Sequence, residues 1–118
     1  MSNYLKNYNY LTCDEISTID KIVTLTEAKH SKNNLLPSLG DIKDGLVKMI
    51  LFSNLEDVII ENKKYKVVPV LKLTSSLRFS KKYLTNSQVT TLKLLKEESK
   101  INNFTIYINN NNLNNVKL

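Results

Sequence analysis

The chain has 118 residues, and its 17 Lys and Arg against 11 Asp and Glu give a formal net charge of +6 at pH 7. At this length we expect one domain, residues 1–118, with a core of modest size. A single cysteine, Cys13, excludes an internal disulfide framework and is typical of a reducing cytoplasm. No stretch approaches the roughly 20 apolar residues of a membrane span, so we expect a cytoplasmic protein with no membrane partner.

The first predicted elements are two antiparallel strands, at about 10–16 and 22–29, joined by a turn over 17–21. A polar loop then leads to a predicted helix at about 41–54, which Asp41 can cap. This helix would cross over the sheet and pack on it through an apolar stripe. The residues assigned to the stripe are Ile42, Leu46, Met49, Ile50 and, with less regular spacing, Val47.

A second hairpin follows, with strands at 58–60 and 64–74. Its longer strand contains Pro69, which cannot donate to a ladder, so we expect an edge or bulged strand.

The last predicted elements are a helix starting at Thr85, Asn86 or Ser87 and ending near Lys100, and a strand at 104–108. The asparagine-rich tail, residues 109–118, is expected to be disordered, which leaves a core at about 10–108. The order β-β-α-β-β-α-β predicts an α/β (α+β) fold in which helices flank a mixed sheet.

Glu27 and Lys29 end the apolar strand of the sequence IVTLTEAKHS. Because side chains alternate along a strand, these two project together on the side of Val23 and Leu25, and His30 points the other way. A carboxylate can hold Mg²⁺ and a nearby ammonium can neutralise charge or orient water, which suits phosphodiester hydrolysis. The same acid-x-Lys pattern occurs at 41–43, 61–63 and 98–100, but there it falls on a helix start, a turn and a helix end.

A metal site normally needs a second carboxylate, and two aspartates precede the strand. If the first two strands form a hairpin, Asp14 lies in the first strand and can approach Glu27 across the sheet. Asp20, at the tip of that hairpin, would face water. We therefore favour Asp14 as the second ligand and keep Asp20 as the alternative.

Asp14, followed after a hairpin-length gap by Glu27-x-Lys29, resembles the core of the PD-(D/E)xK nucleases, with Cys13 where that family often has proline. The stretches AKHSKNNLLPSLGDIKDGLVKMILFSNLEDVII and KYKVVPVLKLTSS are similar to type II restriction endonucleases of that superfamily. The similarity spans roughly residues 11–76.

The resemblance implies a restriction-endonuclease-like core and a Mg²⁺-dependent endonuclease that acts on double-stranded DNA. Asp14 and Glu27 would be the metal ligands, and Lys29 would be the catalytic lysine. Such cores usually begin with a helix and often a further acidic residue before the first catalytic strand, whereas only Met1–Tyr10 are available here. We therefore expect a shortened core, which could be inactive by itself or could depend on a homodimer or a complementing chain.

Two other functions remain open at the level of sequence. The first is a non-catalytic DNA-binding or protein-interaction module that keeps the nuclease fold, and the second is a small basic structural protein. The net charge permits binding to a polyanion, because lysines contact phosphates without regard to base sequence. The chain contains a single arginine, Arg78, which argues mildly against sequence reading by this segment. There is no glycine-rich phosphate loop and no Cys/His spacing for zinc.

Overall fold

The structure is a computed structural model that describes residues 13–118, so the predicted start of the first strand at 10–12 lies outside it. The described residues form a mixed α+β fold, as the sequence predicts. Two helices, α1 (Leu39–Ser53) and α2 (Asn86–Ile101), accompany one sheet of six strands. The strands are β1 (Glu15–Ile19), β2 (Ile22–Ser31), β3 (Asp57–Ile60), β4 (Lys63–Ser75), β5 (Thr105–Ile108) and β6 (Asn111–Asn112).

The strand order is β1-β2-β4-β5-β6, with β3 paired to the first part of β4. The β2–β4 and β4–β5 pairs are parallel, whereas the three hairpin pairs are antiparallel. Parallel neighbours need a crossover connection, and each of these two crossovers contains one helix. No helix within residues 13–118 has both the length and the apolar character needed to cross a bilayer.

The first hairpin turns at Asp20 and Lys21, which corrects the predicted turn at 17–21. Ile19 pairs with Ile22, so β1 continues to the last residue before a two-residue turn. Asp20 has a φ of 54°, a left-handed conformation that aspartate tolerates better than β-branched residues do. The β-branched residues Ile16, Thr18 and Ile19 therefore stay in the strand.

Pro69 lies in a central strand, not in the predicted edge or bulged strand. The N–H groups of Lys66 and Ser76 donate toward the β2 side of β4. Because alternate residues address opposite neighbours, the backbone of Pro69 faces the other side. There β3 pairs only as far as Lys66, and β5 begins at Val70. The missing N–H of proline thus falls in the gap between two partner strands.

Helix α1 begins at Leu39, two residues before the predicted start at 41, because Ser38 and not Asp41 is its N-cap. The Ser38 hydroxyl accepts a 3.1 Å hydrogen bond from the Asp41 backbone N–H. The buried face includes Ile42 and Met49, as predicted, and also Phe52. Val47, assigned to the stripe with less regular spacing, is exposed.

Helix α2 starts at the predicted point, where Thr85 and Gln88 form a capping box. The tail beyond it is ordered, which corrects the expected disorder of 109–118. Asn111–Asn112 pairs with β5, and Leu113 is buried in the core. The apolar side chain of Leu113, together with partly buried Val116 and Leu118, anchors a segment whose composition alone indicates disorder.

The core lies on one face of the sheet, beneath α1. The three parallel strands contribute the buried residues Val23, Leu25, Leu71, Leu73, Ile106 and Ile108 to this face. Leu92 and Leu95 of α2 join the same core. In β2 the next two residues on the core face after Leu25 are Glu27 and Lys29, so the candidate site continues the apolar face.

Candidate functional site

Glu27 is a buried carboxylate at the end of an apolar row. Its relative exposure is 6%, close to the 0% of Val23 and Leu25 on the same face of β2. Among residues 13–118 the buried polar or charged residues are Thr26, Glu27 and Ser99, so Glu27 is the charged member of that set. Desolvating a carboxylate is unfavourable, and an apolar residue would suit the packing better.

Lys29 lies beside Glu27, as the strand periodicity predicts. The Lys29 Nζ is 3.7 Å from Oε2 of Glu27, and the lysine side chain is 22% exposed. In the neighbouring strand Glu27 pairs with Leu71 and Lys29 pairs with Leu73. The ammonium is therefore close to the carboxylate and still reachable from solvent.

Asp14 lies immediately before β1, not within the predicted strand, but its backbone and side chain both bind β2. Its N–H donates to the Thr26 carbonyl at 3.0 Å, although Glu15 is the residue that pairs with Thr26. Two residues opposite one is the arrangement of a β-bulge, which re-aims side chains at the end of a ladder. Oδ2 of Asp14 accepts a 2.8 Å hydrogen bond from the Ala28 N–H, so its carboxylate lies next to the strand segment of Glu27.

The pKa of the Cys13 thiol is affected by the charged groups of this region. Burial raises the pKa of the Cys13 thiol, and the negative charges of Glu27 and Asp14 raise it further, while Lys48 of α1 acts in the opposite direction. Cys13 Sγ also donates to the Glu15 carbonyl at 3.4 Å. Both predicted carboxylates and one helix lysine therefore act on the same thiol.

The remaining candidates of the sequence lie elsewhere. Asp20 is at the hairpin tip, and the five residue-to-residue steps of β2 from Ile22 to Glu27 span roughly 17 Å. Asp20 is thus not the second carboxylate beside Glu27. His30 is on the opposite face, as predicted, where Nδ1 is 2.7 Å from Thr74 Oγ1 and Nε2 is 3.2 Å from Ser76 Oγ.

Lys48 is a residue that the sequence pattern missed. It falls outside the apolar stripe of α1, yet it is half-buried, whereas Lys43 of the same helix is exposed. The local pattern contains no signal for this difference, since both are lysines flanking apolar positions. The difference becomes visible only when the helix is placed on the sheet.

A pocket of about 160 Å³ opens between the N-terminal ends of α1 and α2, and its lining includes Ser38, Ile42 and Thr91. None of Asp14, Glu27 or Lys29 lines it. The pocket and the carboxylates are therefore separate features.

The metal that the resemblance implies is Mg²⁺, and its candidate ligands are the carboxylates of Asp14 and Glu27. No group of three or more His, Cys, Asp or Glu side chains within residues 13–118 has the geometry of a complete protein metal cage. Mg²⁺ does not require one, because it keeps several waters and is usually held by one or two carboxylates together with substrate phosphate. Two carboxylates on adjoining backbone segments, one of them buried, fit that type of site.

Comparisons of the chain with protein-family models, with curated protein sequences and with solved structures found no match.

Proposed function

We propose that the protein is a Mg²⁺-dependent endonuclease of the PD-(D/E)xK type that hydrolyses phosphodiester bonds of double-stranded DNA. The observation that carries this proposal is the burial of Glu27 on the core face of β2, with the Lys29 ammonium 3.7 Å away. Strongly desolvated charged groups that are held near a partner are concentrated at functional sites.

Three side chains have separate roles in the proposed reaction. Glu27 and Asp14 would hold the metal through their carboxylate oxygens, and the Ala28 N–H fixes the orientation of the Asp14 carboxylate. Lys29 holds and orients the attacking water and offsets negative charge that develops on the phosphate. A bound Mg²⁺ would supply a Lewis acid that polarises the phosphate and acidifies a water molecule. The rest of the chain keeps these groups in position before substrate binds.

The charge of the chain supports a DNA substrate. The net charge of +6 favours association with a polyanion. The free thiol of Cys13 fits a reducing compartment, so we assign the protein to the cytoplasm.

A plasmid-nicking assay in Mg²⁺ and in Ca²⁺ tests the proposal. We expect wild type to nick supercoiled DNA in Mg²⁺, and Glu27→Gln to lower the rate by about 10²–10³-fold or more, because the amide cannot replace the charge at the site. Glu15→Gln is the matched control, because Glu15 is an exposed carboxylate whose partner, Lys72, is on the opposite face.

The result that would overturn the proposal is cleavage by Glu27→Gln at the wild-type rate, which would make the acid-x-Lys strand a chance match. A folded wild type that binds duplex DNA but does not cut it in Mg²⁺ would favour the non-catalytic module. A folded wild type that neither binds nor cuts DNA at low salt would favour the basic structural protein.

A further inference from the structure

Helix α1 approaches the sheet closely at Leu71, the residue paired with Glu27. A Cβ atom added to Gly45 would lie 2.6 Å from Cδ1 of Leu71, a separation that real Cβ atoms do not show. Leu71 is the β4 partner of Glu27 in the parallel ladder. The absence of a side chain at Gly45 therefore lets the α1 backbone come down onto the strand segment that holds the buried carboxylate.

Lys48 follows Gly45 by three residues, which places it on the same side of the helix. Long side chains in helices point back toward the N-terminus and cover the preceding turn. We therefore expect the aliphatic stem of Lys48 to run over the turn that contains Gly45, on the side of the helix that faces Leu71. Half-burial of Lys48 agrees with this course, because a lysine on the solvent side of the helix, such as Lys43, is exposed.

The packing of α1 on the sheet supports the same position. Lys29 lies beside Glu27 on its own strand, whereas Lys48 is half-buried on the helix that packs on Leu71, the ladder partner of Glu27. Two carboxylates are thus accompanied by two ammonium groups that come from different elements.

We propose that Lys48 is a substrate-binding residue whose ammonium contacts a backbone phosphate of DNA at the Glu27 site. This inference rests on the proposed function and identifies the group that recognises the substrate. In the metal-free site the two carboxylates would repel a phosphodiester, and Lys29 balances only one of the two negative charges. A second ammonium makes the metal-free site neutral, and with a divalent cation bound to the carboxylates it makes the site net positive, so that a polyanion can approach.

The test compares Lys48→Gln, Lys48→Arg and the matched control Lys43→Ala. Fluorescence anisotropy of a labelled duplex, in Ca²⁺ and in EDTA and over a series of salt concentrations, measures binding without cleavage. We expect Lys48→Gln to bind several-fold more weakly at low salt, and the slope of log K against log salt to become shallower by about 0.9, the value for one lost phosphate contact. Lys48→Arg should restore both quantities, and Lys43→Ala should bind like wild type.

The alternative is that Lys48 only offsets the charge of the buried carboxylate. Under that alternative Lys48→Gln would lower the melting temperature while leaving the affinity and salt slope unchanged, and this result would overturn the inference. Failure of Lys48→Arg to restore binding in a folded protein would overturn it as well. Nicking by wild type reports on the proposed function separately, so a protein that binds but does not cut still decides the role of Lys48. A wild type that does not bind duplex DNA at low salt would overturn both.

Discussion

The backbone N–H of Ala28 donates a 2.8 Å hydrogen bond to Oδ2 of Asp14. The side chain of Asp14 thus does what a strand neighbour would do, and it continues the β1–β2 ladder beyond the last paired residue, Glu15. The Asp14 carboxylate therefore has a structural role as well as a charge. A carboxylate that serves as a ladder acceptor is also held beside Glu27 without a dedicated loop.

Substitutions at Asp14 should separate these two roles. Asp14→Asn keeps a carbonyl oxygen that can accept from Ala28, so stability should fall by less than about 0.5 kcal/mol. Asp14→Ala removes the acceptor and should cost about 1 kcal/mol, since the bond is at the surface. Both variants should lose Mg²⁺-dependent cleavage. Urea unfolding alongside the nicking assay measures the difference, and an active Asp14→Asn would exclude the charge from the mechanism.

Lys29 should affect metal binding and catalysis in opposite directions. Lys29→Ala removes a positive charge 3.7 Å from Oε2 of Glu27, so a divalent cation should bind as tightly as in wild type or more tightly. Cleavage should nevertheless slow by about 10²-fold or more, because the water is no longer oriented. Isothermal titration with Mn²⁺ and single-turnover cleavage test the two effects. Lys72→Ala, which changes an exposed lysine on the opposite face, should alter neither.

Cys13 alkylation should report the charge of Glu27. Because burial and nearby carboxylates raise the pKa of the thiol above its ordinary 9.0, little thiolate forms near pH 8 and iodoacetamide should react slowly. The rate should rise as the pH is raised toward and past that value. Glu27→Gln removes one of the negative charges, so it should lower the pKa of the thiol and speed the reaction. Mass spectrometry in EDTA follows the rate; equal rates in native Glu27→Gln and wild type would contradict the assigned proximity.

Gly45 should be intolerant of a methyl group. Alanine improves helix propensity by about 1 kcal/mol, but the clash with fully buried Leu71 should cost about 1–3 kcal/mol, giving a net loss of up to about 2 kcal/mol. Gly40→Ala is the control, since a Cβ there would meet only Ser38 Oγ, at 3.9 Å. In thermal unfolding, the melting temperature should fall in Gly45→Ala and rise in Gly40→Ala. A stabilised Gly45→Ala would mean that α1 does not approach the sheet as closely as described.

Local patterns predict most elements of this fold. Strand alternation predicts that Glu27 and Lys29 share a face, and a capping residue before an apolar repeat predicts the start of α2 at Thr85. The start of α1 was misplaced because Ser38 and Asp41 are both good caps, and only tertiary packing decides between them. The tail composition indicates disorder, although buried Leu113, with partly buried Val116 and Leu118, anchors the tail on the core.

Relationships between distant elements could not be predicted in the same way. The pairing of β4 with both β2 and β5 decides that Pro69 sits in a gap, and no local signal contains that pairing. The half-burial of Lys48 has no local signal for the same reason, because it depends on the contact of α1 with another strand at Gly45. Periodicity identifies which residues share a face of one element. It does not identify what lies opposite that face.

The parallel pairing of β2 with β4 has a consequence for the order of folding. Ile22 pairs with Lys66 and every later pair keeps the same separation, which is 44 residues at His30 and Thr74. Closing such a loop costs entropy before any contact repays it, so this ladder should form late and cooperatively. During synthesis each residue of β2 leaves the ribosome 44 residues before its partner in β4 does. The Glu27 carboxylate is therefore hydrated in the nascent chain, and it is desolvated only when β4 pairs with β2.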